Sequence, residues 1–179
     1  MSIDDPIVIV AANRTPMGGF MGGLSAVSAP QLGATAIRGA LDSINLASDQ
    51  VDEVIMGCVL QGGVGQAPAR QAAIFAGLPN SVPCTTVNKV CGSSLKAVMI
   101  AASAIRAGEH EVVIAGGMES MTNAPHLVWS PAHGEDVPYS DLSSSMVHDG
   151  LWDAYNDEHM GNTGETIAEE CGISRESAD

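Results

Sequence analysis

The chain has 179 residues, with 7 Lys or Arg against 21 Asp or Glu and a formal charge of −14. A chain of that length buries about 70% of its unfolded surface, so it can build a core without disulfide staples. The acidic balance argues against binding nucleic acid through a basic face. Hydrophobic residues make up 45% of the chain but aromatic ones only 3%, so Ala, Val, Ile, Leu and Met must fill the interior. No apolar run approaches the roughly 20 residues of a membrane span. The polar start Met1–Pro6 carries no visible presequence. These features predict a soluble, cytoplasmic protein.

Ile7–Ala12 is a short, β-branched apolar run that reads as a buried strand, followed by the glycine-rich loop Thr15–Gly23. Ser28 and Pro30 then open a helix with Leu32, Ile37, Leu41 and Ile44 on its inner stripe. Val54–Leu60 reads as a second strand, Ala69–Ala76 as a short helix ended by Gly77, and Thr85–Asn88 as a short strand leading to Cys91. Ser93–Ala107 carries the strongest helical pattern, with Gly108 just past its end. It is apolar nearly all round, which predicts a central, buried helix. Val112–Ala115 follows as a further buried strand. This β-α-β-α-β-α-β order predicts an α/β sheet covered on both faces.

After residue 118 the composition shifts to Ser, Pro, His and Asp, as expected of an insertion with short elements. Residues 135–179 hold 12 acids and one base, a net −11, which reads first as a solvated face. Gly164–Cys171 is a helix stopped by Gly172, and Ser174 opens another that has barely one turn before Asp179. So short a helix does not recover its nucleation cost, and the chain reads as cut short.

Four cysteines occur, at 58, 84, 91 and 171, with no Cys-x-x-Cys pair and no His at zinc-finger spacing, so neither a metal site nor a disulfide framework is expected. The glycines after Ile7–Ala12 lack both dinucleotide and P-loop spacing, which weakens a nucleotide-binding module as a reading. Cys91 stands apart. It lies between a strand and the start of the most apolar helix, where backbone N–H groups and the positive helix end favour a thiolate and can hold an oxyanion. Gly92, Ser93 and Ser94 leave room for a substrate. On these grounds Cys91 is either a nucleophile or a buried structural thiol.

The stretch Val87-Asn-Lys-Val-Cys-Gly-Ser-Ser-Leu-Lys-Ala-Val98 resembles the acyl-enzyme cysteine motif of thiolases. Collinear matches are Asn13-Arg-Thr-Pro-Met-Gly-Gly-Phe20, Gly65-Gln-Ala-Pro-Ala-Arg-Gln-Ala72, Gly116-Gly-Met-Glu-Ser-Met-Thr122, Asp149-Gly-Leu-Trp-Asp153 and His159-Met-Gly161. Together they resemble the N-terminal half of a thiolase. The resemblance implies a thiolase-like αβαβα sandwich. Residues 1–118 would be its N-terminal α/β domain, with a mixed sheet lacking its last strand, and 119–179 the beginning of a loop domain.

By the same resemblance Cys91 is the nucleophile that takes an acyl group from acyl-CoA. A second acetyl-CoA then condenses with it, the short-chain acetoacetyl-CoA type of reaction, or the reverse cleaves a 3-ketoacyl-CoA. Leu151, His159 and Met160 match positions that line the pantetheine and acyl pocket; a surface histidine and ordinary packing are the competing readings. No cofactor is implied, since coenzyme A thioesters are substrates. The implied partners are acetyl-CoA or acyl-CoA together with a homodimer, a homotetramer or a complementary C-terminal chain.

The family's second cysteine and its histidine lie in Cys-x-Gly-Gly-Gly, Gly-His-Pro and Asn-Glu-Ala-Phe motifs, none of which occurs in these residues. Cys58 is a poor substitute, and His126, His133 and His148 match no catalytic motif. Residues 126–146 depart from the family pattern around Ser130-Pro-Ala-His-Gly-Glu-Asp136, which puts the mode of association in question. Two other readings stand beside the acyltransferase. One is an incomplete or non-catalytic subunit that needs a C-terminal half; the other is a ketoacyl synthase-like condensing enzyme.

Overall fold

A computed structural model describes residues 7–129, 138 and 142–179, which form two compact units, 1–124 and 125–179. The first unit is built on a parallel sheet. Strands β1 (Glu53–Gly57), β2 (Cys84–Val87) and β3 (Val113–Gly117) lie in the order β2-β1-β3. Val54 pairs with Cys84 on one side and Ile114 on the other. Consecutive parallel strands need crossovers, and helices α2 (Pro68–Ala76) and α3 (Ser93–Ala107) supply them, with α1 (Ala29–Ser43) preceding β1.

The period of two along β1 decides which helix each side chain meets. Val54, Met56 and Cys58 join a core with Ala34, Ile37 and Leu41 of α1 and Ala69, Ala72 and Ala73 of α2. Ile55, fully buried, points the other way and packs with Ala97 and Ala101 of α3. The sheet is therefore covered on both faces, as expected, and small side chains set the close spacing. Gly33 of α1 exists for the same reason: a Cβ there would stand 2.6 Å from Met118 Sδ and 3.2 Å from Ala72 Cβ. The N-terminus of α1 is fixed by Gln31, whose Oε1 accepts the Ser28 N–H at 3.1 Å.

Three expectations are corrected. Ile7–Ala12 forms no strand: Val8 and Ile9 are 64% and 79% exposed, and the segment has no ladder partner among the described residues. Strand propensity is local, but a strand exists only beside a neighbour that takes up its N–H and C=O groups. Second, the described pairings of this sheet are all parallel, where a mixed sheet lacking its last strand was expected. Third, α3 is not buried all round. Ser93, Ala97 and Ala101 are buried, but Leu95 and Met99 on the opposite side are 67% and 53% exposed. The sheet is the main element that packs against this helix. The window Val90–Ala107 is apolar enough for a membrane span by composition, at mean hydropathy 1.3. The helix itself has 15 residues and so rises about 22 Å, short of a hydrocarbon core of about 30 Å.

The second unit has two small antiparallel ribbons. β4 (His126–Val128) pairs with β5 (Leu142–Ser144), and β6 (Trp152–Asp153) with β7 (Glu158–His159). A π-helical turn, Met146–Leu151, joins β5 to β6. Helix α4 (Met160–Cys171) and the short α5 (Arg175–Ala178) follow, capped by His159 and Ser174. The expected helix Gly164–Cys171 thus begins four residues earlier. Ser130–Asp136, including His133, lies outside the described residues.

Two side-chain economies hold the sheet's ends. Asp52 accepts the N–H groups of Glu111 and Val112 at 2.7 and 2.8 Å, tying β1 to the entrance of β3. Those two backbone bonds hold its carboxyl below the ordinary range. Because the folded-state value is lowered, the stabilisation is present above the unfolded value near 3.8 and is lost as pH falls through the folded one. Asp52→Asn is expected to lower the thermal midpoint at neutral pH and to flatten its dependence on pH below about 4, read by circular dichroism. At the other end, a Cβ on Gly57 would stand 2.7 Å from Ser93 Cβ and 2.8 Å from the backbone of Ser93 and Ser94. Gly57→Ala is expected to destabilise the unit by about 1–3 kcal/mol, because backbone and not a flexible side chain must move.

Candidate active site

Cys91 lies where β2 has ended and α3 is about to begin. Gly57 and Gly117 close the two strands alongside without side chains, so the first turn of α3 descends onto the sheet's C-terminal edge. A Cβ on Gly117 would stand 2.8 Å from Ser94 Cβ. Gly92 is the N-cap of α3, and Cys91 precedes it, exposed to solvent. The first backbone N–H groups of a helix have no partner within it, so the positive end of α3 lies next to Cys91 in the chain.

The turn that presents Cys91 is tightly tied. Ser93, which is buried, accepts the N–H of Lys89 on Oγ at 2.8 Å and donates its hydroxyl to the carbonyl of Val90 at 2.6 Å. The N–H groups of Gly92 and Ser93 donate to the carbonyls of Lys89 and Val90. Val90 itself has a φ of 47°, in the left-handed region. For a β-branched side chain that conformation is an outlier, costing on the order of 1–3 kcal/mol. Such a cost persists only where the surroundings hold it, and here it turns the chain sharply so that the next side chain stands clear.

Beside this turn is a carboxylate that reading the sequence did not single out. Glu119 follows the Gly116-Gly117 end of β3, and its side chain accepts the N–H groups of Val59 and Leu60 at 2.8 and 3.0 Å. It also faces Cys58, whose thiol lies 3.7 Å from Oε1. Burial, with the nearby Glu119 charge adding to it, pushes the Cys58 thiol up to about 12. Cys58 is 1% exposed, so it stays protonated and enclosed, unable to exchange protons with a substrate at neutral pH. Cys84, half-buried, is also raised, chiefly by burial. Cys91 and Cys171 are the exposed thiols, and of these only Cys91 lies at the start of a helix over the sheet.

The other three candidate residues belong to the second unit. Leu151 ends the π-helical turn, His159 is the last residue of β7, and Met160 is the first of α4. Trp152 pairs with His159 in the antiparallel ribbon, which sets Leu151 and Met160 opposite each other at one end of it. His159 is half-buried, and its Nδ1 accepts the Gly161 N–H at 3.0 Å. That bond caps α4 and leaves Nε2 as the ring's other polar atom. The pairing places Leu151, His159 and Met160 at the same end of the ribbon; Cys91 belongs to the first unit. His148 packs edge-on against Trp129, with ring centroids 5.1 Å apart. Among the described residues no group of three or more His, Cys, Asp or Glu could hold a metal ion.

Residues 7–179 match the family described as thiolase, N-terminal domain. The acetyl-CoA acetyltransferase of Pseudomonas aeruginosa is 53% identical over 173 residues, 97% of this chain and 44% of that protein. The mitochondrial acetyl-CoA acetyltransferase of Rattus norvegicus is 49% identical over 175 residues, covering 97% of this chain and 40% of that one. Family membership therefore does not by itself set the compartment. The crystal structure of Acat5 thiolase from Ascaris suum in complex with coenzyme A superposes with a TM-score of 0.81 at 36% identity, over 93% of this chain and 43% of that one. The chain spans less than half the length of these relatives. Its motifs, its sheet with helices on both faces and its cysteine at the head of α3 agree with that match, and the chain belongs to the thiolase family.

Proposed function

We propose that this chain supplies the nucleophile half of an acetyl-CoA acetyltransferase. The observation that carries the reading is the exposed Cys91, held by a strained, hydrogen-bonded turn immediately before the N-terminus of α3. The sulfur attacks the thioester carbonyl of acetyl-CoA, and the negative charge that develops on the carbonyl oxygen meets backbone N–H donors. Collapse of the adduct expels coenzyme A as its thiol, which takes up the proton, and leaves an acetyl group on Cys91. A thiol suits both steps because it attacks well and also leaves well. Deprotonated at its methyl carbon, a second acetyl-CoA attacks that thioester, forming the carbon–carbon bond of acetoacetyl-CoA and returning the Cys91 thiol. The reverse sequence cleaves a 3-ketoacyl-CoA.

Leu151, His159 and Met160 are proposed to line the acyl and pantetheine path. The activating histidine and second cysteine that the family implies have no motif match in these 179 residues, and Cys58 is too enclosed to replace the latter. The oligomer belongs to the same proposal: a homodimer or homotetramer, or assembly with a complementary C-terminal chain. The exposed apolar side of α3 favours a covering partner, which also supports the second reading, a subunit that acts only when so completed.

The test is denaturing intact mass spectrometry of the full-length protein after brief exposure to acetyl-CoA. One acetyl group is expected on Cys91 and none on the Cys91→Ser variant, whose neutral hydroxyl lacks thiolate nucleophilicity. Unchanged labelling of that variant would sink the assignment.

A further inference from the structure

The left-handed Val90 needs something to hold it, and one side chain is placed to do so. Asn88 Oδ1 accepts the Val90 N–H at 3.0 Å, bridging two residues along the chain. The other end of the same amide reaches across the site, where Nδ2 donates to the carbonyl of Val59 at 3.4 Å. Val59 is not free to follow, because its N–H and that of Leu60 are both held by the Glu119 carboxylate at 2.8 and 3.0 Å. A continuous set of bonds therefore runs from Glu119 through the loop after β1 to Asn88, and ends on the N–H of Val90, the residue before Cys91. Ser93 secures Lys89 N–H and Val90 C=O, whereas the Val90 N–H is taken by Asn88.

We propose that Asn88 is a positioning residue for Cys91, holding Val90 left-handed while Glu119 anchors Asn88 through the Val59–Leu60 backbone. Neither side chain needs to touch substrate. Their effect is on where the sulfur stands relative to the N–H groups of α3, and so on the rate of acyl transfer more than on the binding of coenzyme A thioesters. The inference rests on the nucleophile reading above.

The test uses glycine, which takes a left-handed φ without a tether. In the full-length protein, Asn88→Ala is expected to lower the maximal rate of Cys91 acetylation about 10- to 100-fold, with half-saturation by acetyl-CoA little changed. Adding Val90→Gly should restore most of that rate, a recovery that loss of general packing would not permit. A full rate in Asn88→Ala, or a folded double variant as slow as the single one, overturns the proposal. Should Asn88→Ala fail to fold, the double variant decides: folded and fast supports the proposal, unfolded or slow overturns it. Amide hydrogen exchange over residues 88–94 of the same proteins separates this inference from the activity. If wild type takes up no acetyl group, the nucleophile reading fails. Faster exchange at Gly92 and Ser93 in Asn88→Ala, reversed by Val90→Gly, then still supports the tether, and unchanged exchange overturns it.

Discussion

Helix α3 can begin directly over the sheet because the strands beneath it end in glycine. With Gly57 and Gly117 as the last residues of β1 and β3, Ser93 and Ser94 approach to a distance that no added side chain would tolerate. From that close approach follows the rest of the site. The last residue of β2, Val87, lies only a few positions before Ser93, so the connection must turn within Asn88–Gly92. A turn that short forces one residue into the left-handed region, and the side chain after it is thrust out at the helix's N-terminus. The exposed position of the Cys91 thiol is thus a by-product of sheet–helix spacing.

The same spacing explains the composition. Alanines at 69, 72, 73, 97 and 101 are buried, and bulk is concentrated on β1 in Val54, Ile55 and Met56. A sheet flanked by small side chains allows short separations between layers, at the cost of little apolar area per residue. What the α/β unit lacks in large side chains it makes up in backbone hydrogen bonding and close contact.

Much of this could be read from residues alone. The bounds of α3 follow from its apolar pattern and from Gly108, which closes it in the left-handed conformation. Cys91 could be singled out by its place between a strand and that helix. Other features could not. Ile7–Ala12 has every local mark of a strand, but pairing is a property of its neighbours and leaves no trace in its own residues. The exposed side of α3 was hidden for the same reason: periodicity reports which positions are apolar, not what covers them. Val90 gives no warning of a positive φ, since β-branched residues avoid it. Glu119 looks like any acidic residue after a strand. Only the fold brings two backbone N–H groups from the loop after β1 to meet it.

Both tryptophans, Trp129 and Trp152, belong to the second unit, one packed against His148 and the other bonded to Asp157. The unit that presents Cys91 contains none. Intrinsic tryptophan emission from this chain therefore reports the ribbons around His148 and His159 and is blind to melting of the sheet and α1–α3. Far-ultraviolet dichroism, to which those helices contribute strongly, sees it. A mismatch between the two signals would mark independent unfolding of the units, and coincidence would mark coupling that neither signal could reveal alone.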